Sequence, residues 1–162
     1  MSTAAMAQKR EMEMSRQIST LTLADAKDMI AAAEARARDI GLAYNIAVVD
    51  AGGHLVAFVR QDEALIGSID LAIKKAMTVR LFDKSTAVLA TLAQPGSPLF
   101  GIAESNAGNV VIFGGGLPVL EGGQVIGAVG ASAGTVEQDI AVAEAAVAAI
   151  AGRTSGQPTM FD

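Results

Sequence analysis

The 162-residue chain has no cysteine, no tryptophan, one tyrosine and one histidine, and only 18% of it is charged, against about 25% in ordinary globular domains. Without cysteine there are no disulfides, no thiol catalysis, no iron–sulfur clusters and no cysteine-ligated zinc. With His54 as the single histidine, a multi-histidine metal site within one chain is excluded as well. The net charge is −5 and the isoelectric point near 4.8. Basic residues never cluster beyond adjacent pairs such as Lys74-Lys75. This argues against non-specific nucleic-acid binding, which needs several phosphate-neutralising side chains in one patch. The segment from Met1 to Glu11 has no apolar secretory core. No uncharged apolar run approaches the roughly 18 residues of a membrane span. The expectation is a cytoplasmic protein with no membrane and no nucleic-acid partner.

What is present is small and apolar. Hydrophobic residues make up 51% of the chain, 32 of its residues are alanine, and the mean hydropathy is +0.41. One domain of this length cannot hide all of that surface internally. Burial between copies is the simplest remedy, so a homo-oligomer, a dimer or larger, is expected.

Residues 1–20 read as a polar tail or extension, residues 21–151 as one domain and residues 152–162 as a second tail. Thr22 with Asp25 three residues on forms a capping-box pattern, and Leu23, Ala26, Ile30, Ala33, Ala37 and Ile40 recur at helical spacing before Gly41. A strand pair follows at 45–50 and 54–60 around Asp50-Ala51-Gly52-Gly53. Helical pattern resumes from Ala64 to about Leu92, with Ile66, Ile69, Ile73, Ala76 and Met77 as its stripe and a break at Asp83-Lys84-Ser85-Thr86. Pro95-Gly-Ser-Pro98 is a loop, and a short helix is expected over 98–104. Strands are expected near 109–113, 117–120 and 124–131, then a helix from Val136 to Ile150. The reading is α–ββ–αα–βββ–α: an α+β domain with a five-stranded antiparallel sheet flanked by helices.

Several motifs occur in order: Val49-Asp-Ala-Gly-Gly-His-Leu-Val-Ala-Phe-Val-Arg60 with Asp62 and Ala64; Lys74-Lys-Ala-Met-Thr78 with Phe82 and Thr86; Phe113-Gly-Gly-Gly-Leu-Pro-Val119; Gly127-Ala-Val-Gly130; and Gly134-Thr-Val-Glu-Gln-Asp139. Over roughly residues 20–151 the chain resembles the GlcG/HbpS-like haem-binding family, also found as the C-terminal domain of PduO-type adenosyltransferases. The resemblance implies a profilin-like fold, assembly into oligomers, and haem, corrinoid or small-molecule catabolic roles. Two departures stand out. Members commonly carry Arg-Met-Asp-Gly-Ala where this chain has Arg60-Gln-Asp-Glu-Ala64, and Ser-Gly-Gly-Thr where it has Ser132-Ala-Gly-Thr135.

His54 is the only side chain that offers haem iron an imidazole; the plainer alternative is an exposed residue beside a turn. Lys75 lies among apolar helical neighbours, so its charge either meets a carboxylate in a cleft or snorkels to the surface. Arg60, at a strand end, suits a bidentate carboxylate contact or a plain salt bridge. Arg60, Asp62 and Lys75 are expected to converge on one pocket, with Gly115 and Gly116 as its backbone wall, Glu137 at its edge, and Phe82 and Phe113, with Phe58 and Phe100, as aromatic surface. Glu137 and Asp139 at a helix start have a structural role by default, since the helix dipole favours carboxylates there. Two functions follow. One is an oligomeric binding protein for haem or another flat, carboxylate-bearing ligand. The other is a small cofactor-independent catabolic enzyme using Lys75, Asp62 and Glu137 as acid–base groups on a carbonyl or carboxylate substrate.

Overall fold

The computed structural model describes residues 3, 4, 6 and 16–153. The expected tails at 1–20 and 152–162 therefore lie largely outside the described residues. Helix α1 (Leu23–Ile40) opens with the full capping box, Thr22 and Asp25 each satisfying the other's backbone amide. It closes at Gly41, whose φ of 80° is the left-handed conformation that glycine adopts without penalty. Strands β1 (Asn45–Asp50) and β2 (Leu55–Arg60) form the first hairpin. Helix α2 (Gly67–Phe82) ends at Asp83 in left-handed backbone, and Ser85 caps helix α3 (Thr86–Leu92). Strands β3 (Gly116–Glu121) and β4 (Gln124–Ser132) form the second hairpin, and helix α4 (Val136–Ala148) starts from a second capping box, Thr135 with Gln138.

Among the described residues the sheet is antiparallel in the order β2-β1-β4-β3, with four strands and not the expected five. The segment 109–113 has the apolar run of a strand but no ladder. The Thr78 hydroxyl receives the Val111 amide at 2.9 Å and donates to the Asn109 carbonyl at 3.4 Å, so helix α2 holds this stretch. The short helix expected over 98–104 is a 3-10 turn at Ile102–Glu104, followed by a kinked turn with Asn106 and Ala107 at positive φ.

Helices cover both faces of the sheet, which is why β1 reads as a continuous apolar run. Ile46, Val48, Val129 and Ala131 face α1 and α4, meeting Met29, Ala33, Val142 and Ala146. Ala47, Val49 and Ala128 face Ala72, Ala76 and Val79 of α2. That second face is thin. A side chain at Gly130 would meet the Ala72 carbonyl at 2.1 Å, and one at Gly116 the Lys75 carbonyl at 2.7 Å, so α2 lies backbone-to-backbone on a glycine floor. This close approach turns Ala72, Lys75, Ala76, Thr78 and Val79 inward and leaves Ile66 75% exposed, displacing the isoleucine stripe that spacing suggested. Glu63 sits at a φ of 69°, a left-handed position where a residue other than glycine is strained.

Gly130→Ala should push α2 off the sheet and destabilise the protein by about 1–3 kcal/mol, the usual cost of overpacking. Urea unfolding measures it, and an unchanged midpoint would mean the helix is not pressed onto β4.

Candidate functional site

The most unusual side chain in the molecule is Lys75. It projects from the middle of α2 to the C-terminal end of β4 and is fully buried. Its Nζ donates to Asp139 Oδ2 at 2.6 Å and to the Ala131 carbonyl at 2.9 Å. The Phe113 ring lies over the ammonium with its centroid 4.8 Å away, within cation–π range. Asp139, one turn into α4, accepts the Ala133 and Gly134 amides on its other oxygen, at 3.1 and 3.0 Å. One carboxylate thus ties the β4–α4 junction to α2. Desolvation pulls the Lys75 pKa below its ordinary value, and the hydrogen bond and charge of Asp139 only partly restore it.

The glycine run threads through this pair. A side chain at Gly115 would fall 2.7 Å from Lys75 Nζ and 2.9 Å from Asp139 Cβ, and the residue takes a φ of 115°. A side chain at Gly114 would strike Ile140 and Val136. Only glycine lets the backbone pass between α2 and α4 here. Tyr44, also buried, completes the cluster. Its hydroxyl has no hydrogen-bond partner of normal geometry, and a side chain at Gly134 would come within 2.8 Å of it. Burial and the neighbouring Asp139 charge push the phenol well above its ordinary pKa.

The expected convergence of Arg60, Asp62 and Lys75 does not occur. The carboxylate beside Lys75 is Asp139, and Lys75 is sealed where a ligand-contacting lysine would be open. Arg60 is exposed at the end of edge strand β2, opposite Asn45. Asp62 is exposed and lines a shallow depression with Arg38, Gly41, Leu42, Ala43 and Gln61. Glu137 is exposed on the first turn of α4, where its own backbone amide and the Thr135 hydroxyl hold its carboxyl below the ordinary range. Gly115 and Gly116 do lie against Lys75, as a wall around an internal charge. Phe113 is 38% exposed above that charge. Phe82 is half-buried at the end of α2, Phe58 packs beside the α2 core, and Phe100 is 67% exposed, so the four rings form no common surface that these contacts define.

His54 stands on the β1–β2 turn with its side chain 83% exposed and Nδ1 3.4 Å from Asp50 Oδ1. Asp50 organises that turn. Partial burial raises its pKa, but the amides of His54 and Gly52 and the imidazole outweigh this, leaving it below the ordinary value. An exposed imidazole oriented by a carboxylate suits a ligand shared with another surface better than one enclosed by its own chain.

The residue that sequence reasoning passed over is Asp139, set aside as a dipole-favoured carboxylate. Its signal was present. Asp139 falls three, four and seven residues before Val142, Ala143 and Ala146, the buried stripe of α4, whereas Glu137 does not share that face.

The family model for haem degrading protein HbpS-like matches residues 21–148. The chain belongs to the HbpS-like family. Among its relatives, a 15.0 kDa protein from the dhaT-dhaS intergenic region of Citrobacter freundii is 46% identical over 84% of this chain and 96% of its own length. The crystal structure of Klebsiella pneumoniae protein ORFY is 42% identical, covers 86% of this chain and 96% of that one, and superposes with a TM-score of 0.83. The crystal structure of a PduOC:heme complex is 36% identical, covers 83% of this chain and 96% of that one, and gives a TM-score of 0.79.

The chain has one tyrosine and no tryptophan, so tyrosinate absorbance near the red edge of the ultraviolet band reports Tyr44 alone. The native protein should show no rise near pH 10, where unfolded tyrosine titrates. Because the native pKa lies above the unfolded one, the neutral phenol's stabilisation is fully present below about pH 10 and is lost as pH climbs through the native value. A folded-state rise at the ordinary position would contradict the burial beside Asp139.

Proposed function

We propose that this protein binds haem, or another flat molecule bearing carboxylates, and does so as a homo-oligomer in the cytoplasm, with residues 21–151 as the working domain on a profilin-like scaffold. The observation that carries the reading is the likeness to the PduOC:heme complex across nearly the whole of that chain, within a family described by haem degradation. His54 is the single imidazole, and its exposure leaves it free to reach iron held against the protein surface. Oligomerisation is supported by large apolar side chains left in solvent, Leu65 at 63%, Ile66 at 75% and Phe100 at 67% exposed. No described helix is long and apolar enough to cross a membrane.

The enzymatic alternative has less behind it. An acid–base set drawn from Lys75, Asp62 and Glu137 places one member inside an ion pair and two in open solvent on different elements. Such a set lacks the mutual reach that proton transfer at one reacting atom requires.

Haem titration into the purified protein should produce a shifted Soret band, and His54→Ala should abolish the shift with an unchanged far-ultraviolet circular dichroism spectrum. Static light scattering should give at least a dimer at micromolar concentration. A wild-type protein that leaves the haem spectrum untouched would overturn the reading. A shift that survives His54→Ala moves iron ligation to another residue.

A further inference from the structure

A groove of about 460 Å³ lies beside the β1–β2 turn, between the extended segment at residues 16–19, the C-terminal end of α2 and the tip of the β3–β4 hairpin. That volume is within the roughly 300–1,000 Å³ of small-molecule pockets. The entering segment is anchored to the sheet: Thr20 Oγ1 accepts the Ala51 amide at 3.0 Å, and the Leu21 amide donates to the Ile126 carbonyl at 3.0 Å. The chain is thus tied to the sheet immediately after the residues that line the groove.

Arg80 is its best-held cation. Its Nε and Nη2 both donate to the Ala51 carbonyl, at 2.8 and 2.6 Å, and its Nη1 pairs with Asp83. Those contacts fix the guanidinium plane and use three of its five N–H groups, leaving the remainder for a ligand. Asp83 neutralises much of the Arg80 charge, so Arg16, which also lines the groove, gives it its net positive character. Ile18, Leu120 and Val125 also line the groove, whose surface is otherwise mostly polar, and Ile18 and Leu120 are themselves exposed. Two arginines in a mostly polar groove, with exposed Ile18 and Leu120 beside them, match the carboxylate end of a molecule whose body is apolar.

We infer that this groove seats the carboxylate end of the ligand, Arg80 and Arg16 taking the carboxylates while the flat apolar body lies along Leu120 and Ile18. The inference rests on the haem reading above. A haem exceeds the groove, so its propionate edge enters and its ring extends beyond the hairpin tip. The Ala51 backbone that clamps Arg80 belongs to the same turn as His54.

Haem and haem dimethyl ester, which lacks the free carboxylates, titrated into three proteins separate the outcomes. Wild type should bind haem about ten-fold more tightly than the ester, the gain expected of charge-assisted contacts at a half-open site. Arg16→Ala should weaken haem about three-fold, as for an exposed ion pair, and leave the ester unchanged. Leu120→Glu puts a negative charge in the groove at a position already 54% exposed, so folding is spared. It should weaken haem about ten-fold and the ester less. Equal affinity of wild type for haem and ester, or variants that bind haem like wild type, overturns the groove while leaving haem binding intact. A wild type blind to both ligands overturns the groove and the haem reading together.

Discussion

The structure turns on one buried ion pair. Lys75 and Asp139 are separated by 64 positions in sequence and lie 2.6 Å apart with almost no solvent contact. Taking two charges out of water costs several kcal/mol per ion. The offset here comes from geometry: two oxygen acceptors for the ammonium, two backbone amides on the far carboxylate oxygen, and an aromatic face over the charge. Through those contacts the pair joins α2, β4 and α4. It is also why residue 115 is a glycine, since a side chain there would meet both Lys75 Nζ and Asp139 Cβ; Gly114 and Gly116 instead make room for Ile140 and for the α2 backbone.

The glycine floor and the ion pair are two parts of one arrangement. Gly116 and Gly130 let α2 settle close enough for a lysine to reach past the C-terminal end of β4 to α4. The helix gains little apolar burial from that approach, because the layer is built of alanine and valine. The larger core lies on the other face, where α1 and α4 meet β1 and β4. Specific polar contacts then fix the register of α2, Thr78 to Val111 and Lys75 to Asp139, while Thr86 at the start of α3 receives the Gly116 amide.

Much of the fold was legible because local signals agreed with the global one. Thr22 with Asp25, Gly41, the Gly52-Gly53 turn and the helix start at Thr135 all sit where spacing put them. The miscounted strand shows the limit of such signals. Val110, Val111 and Ile112 have strand chemistry, and only the Thr78 hydroxyl, more than thirty residues away, decides where their backbone bonds go. Lys75 misled for the same reason. A cation among apolar neighbours announces that a carboxylate is near, and sequence cannot say whether that carboxylate is a ligand's or the chain's own. Burial answers it in favour of Asp139, and the search for a ligand moves outward to the exposed imidazole of His54 and the arginines beside its turn.

The central claim, that the pair is what holds the second layer in place, is tested most directly by a double-mutant cycle in urea with Lys75→Met and Asp139→Asn. Asparagine retains an oxygen for the Ala133 and Gly134 amides, so the cycle isolates the charge. Each single change should cost about 3–5 kcal/mol by stranding the partner charge in the interior, and the double variant should cost far less than their sum. Additive losses, or a Lys75→Met protein as stable as wild type, would contradict the account.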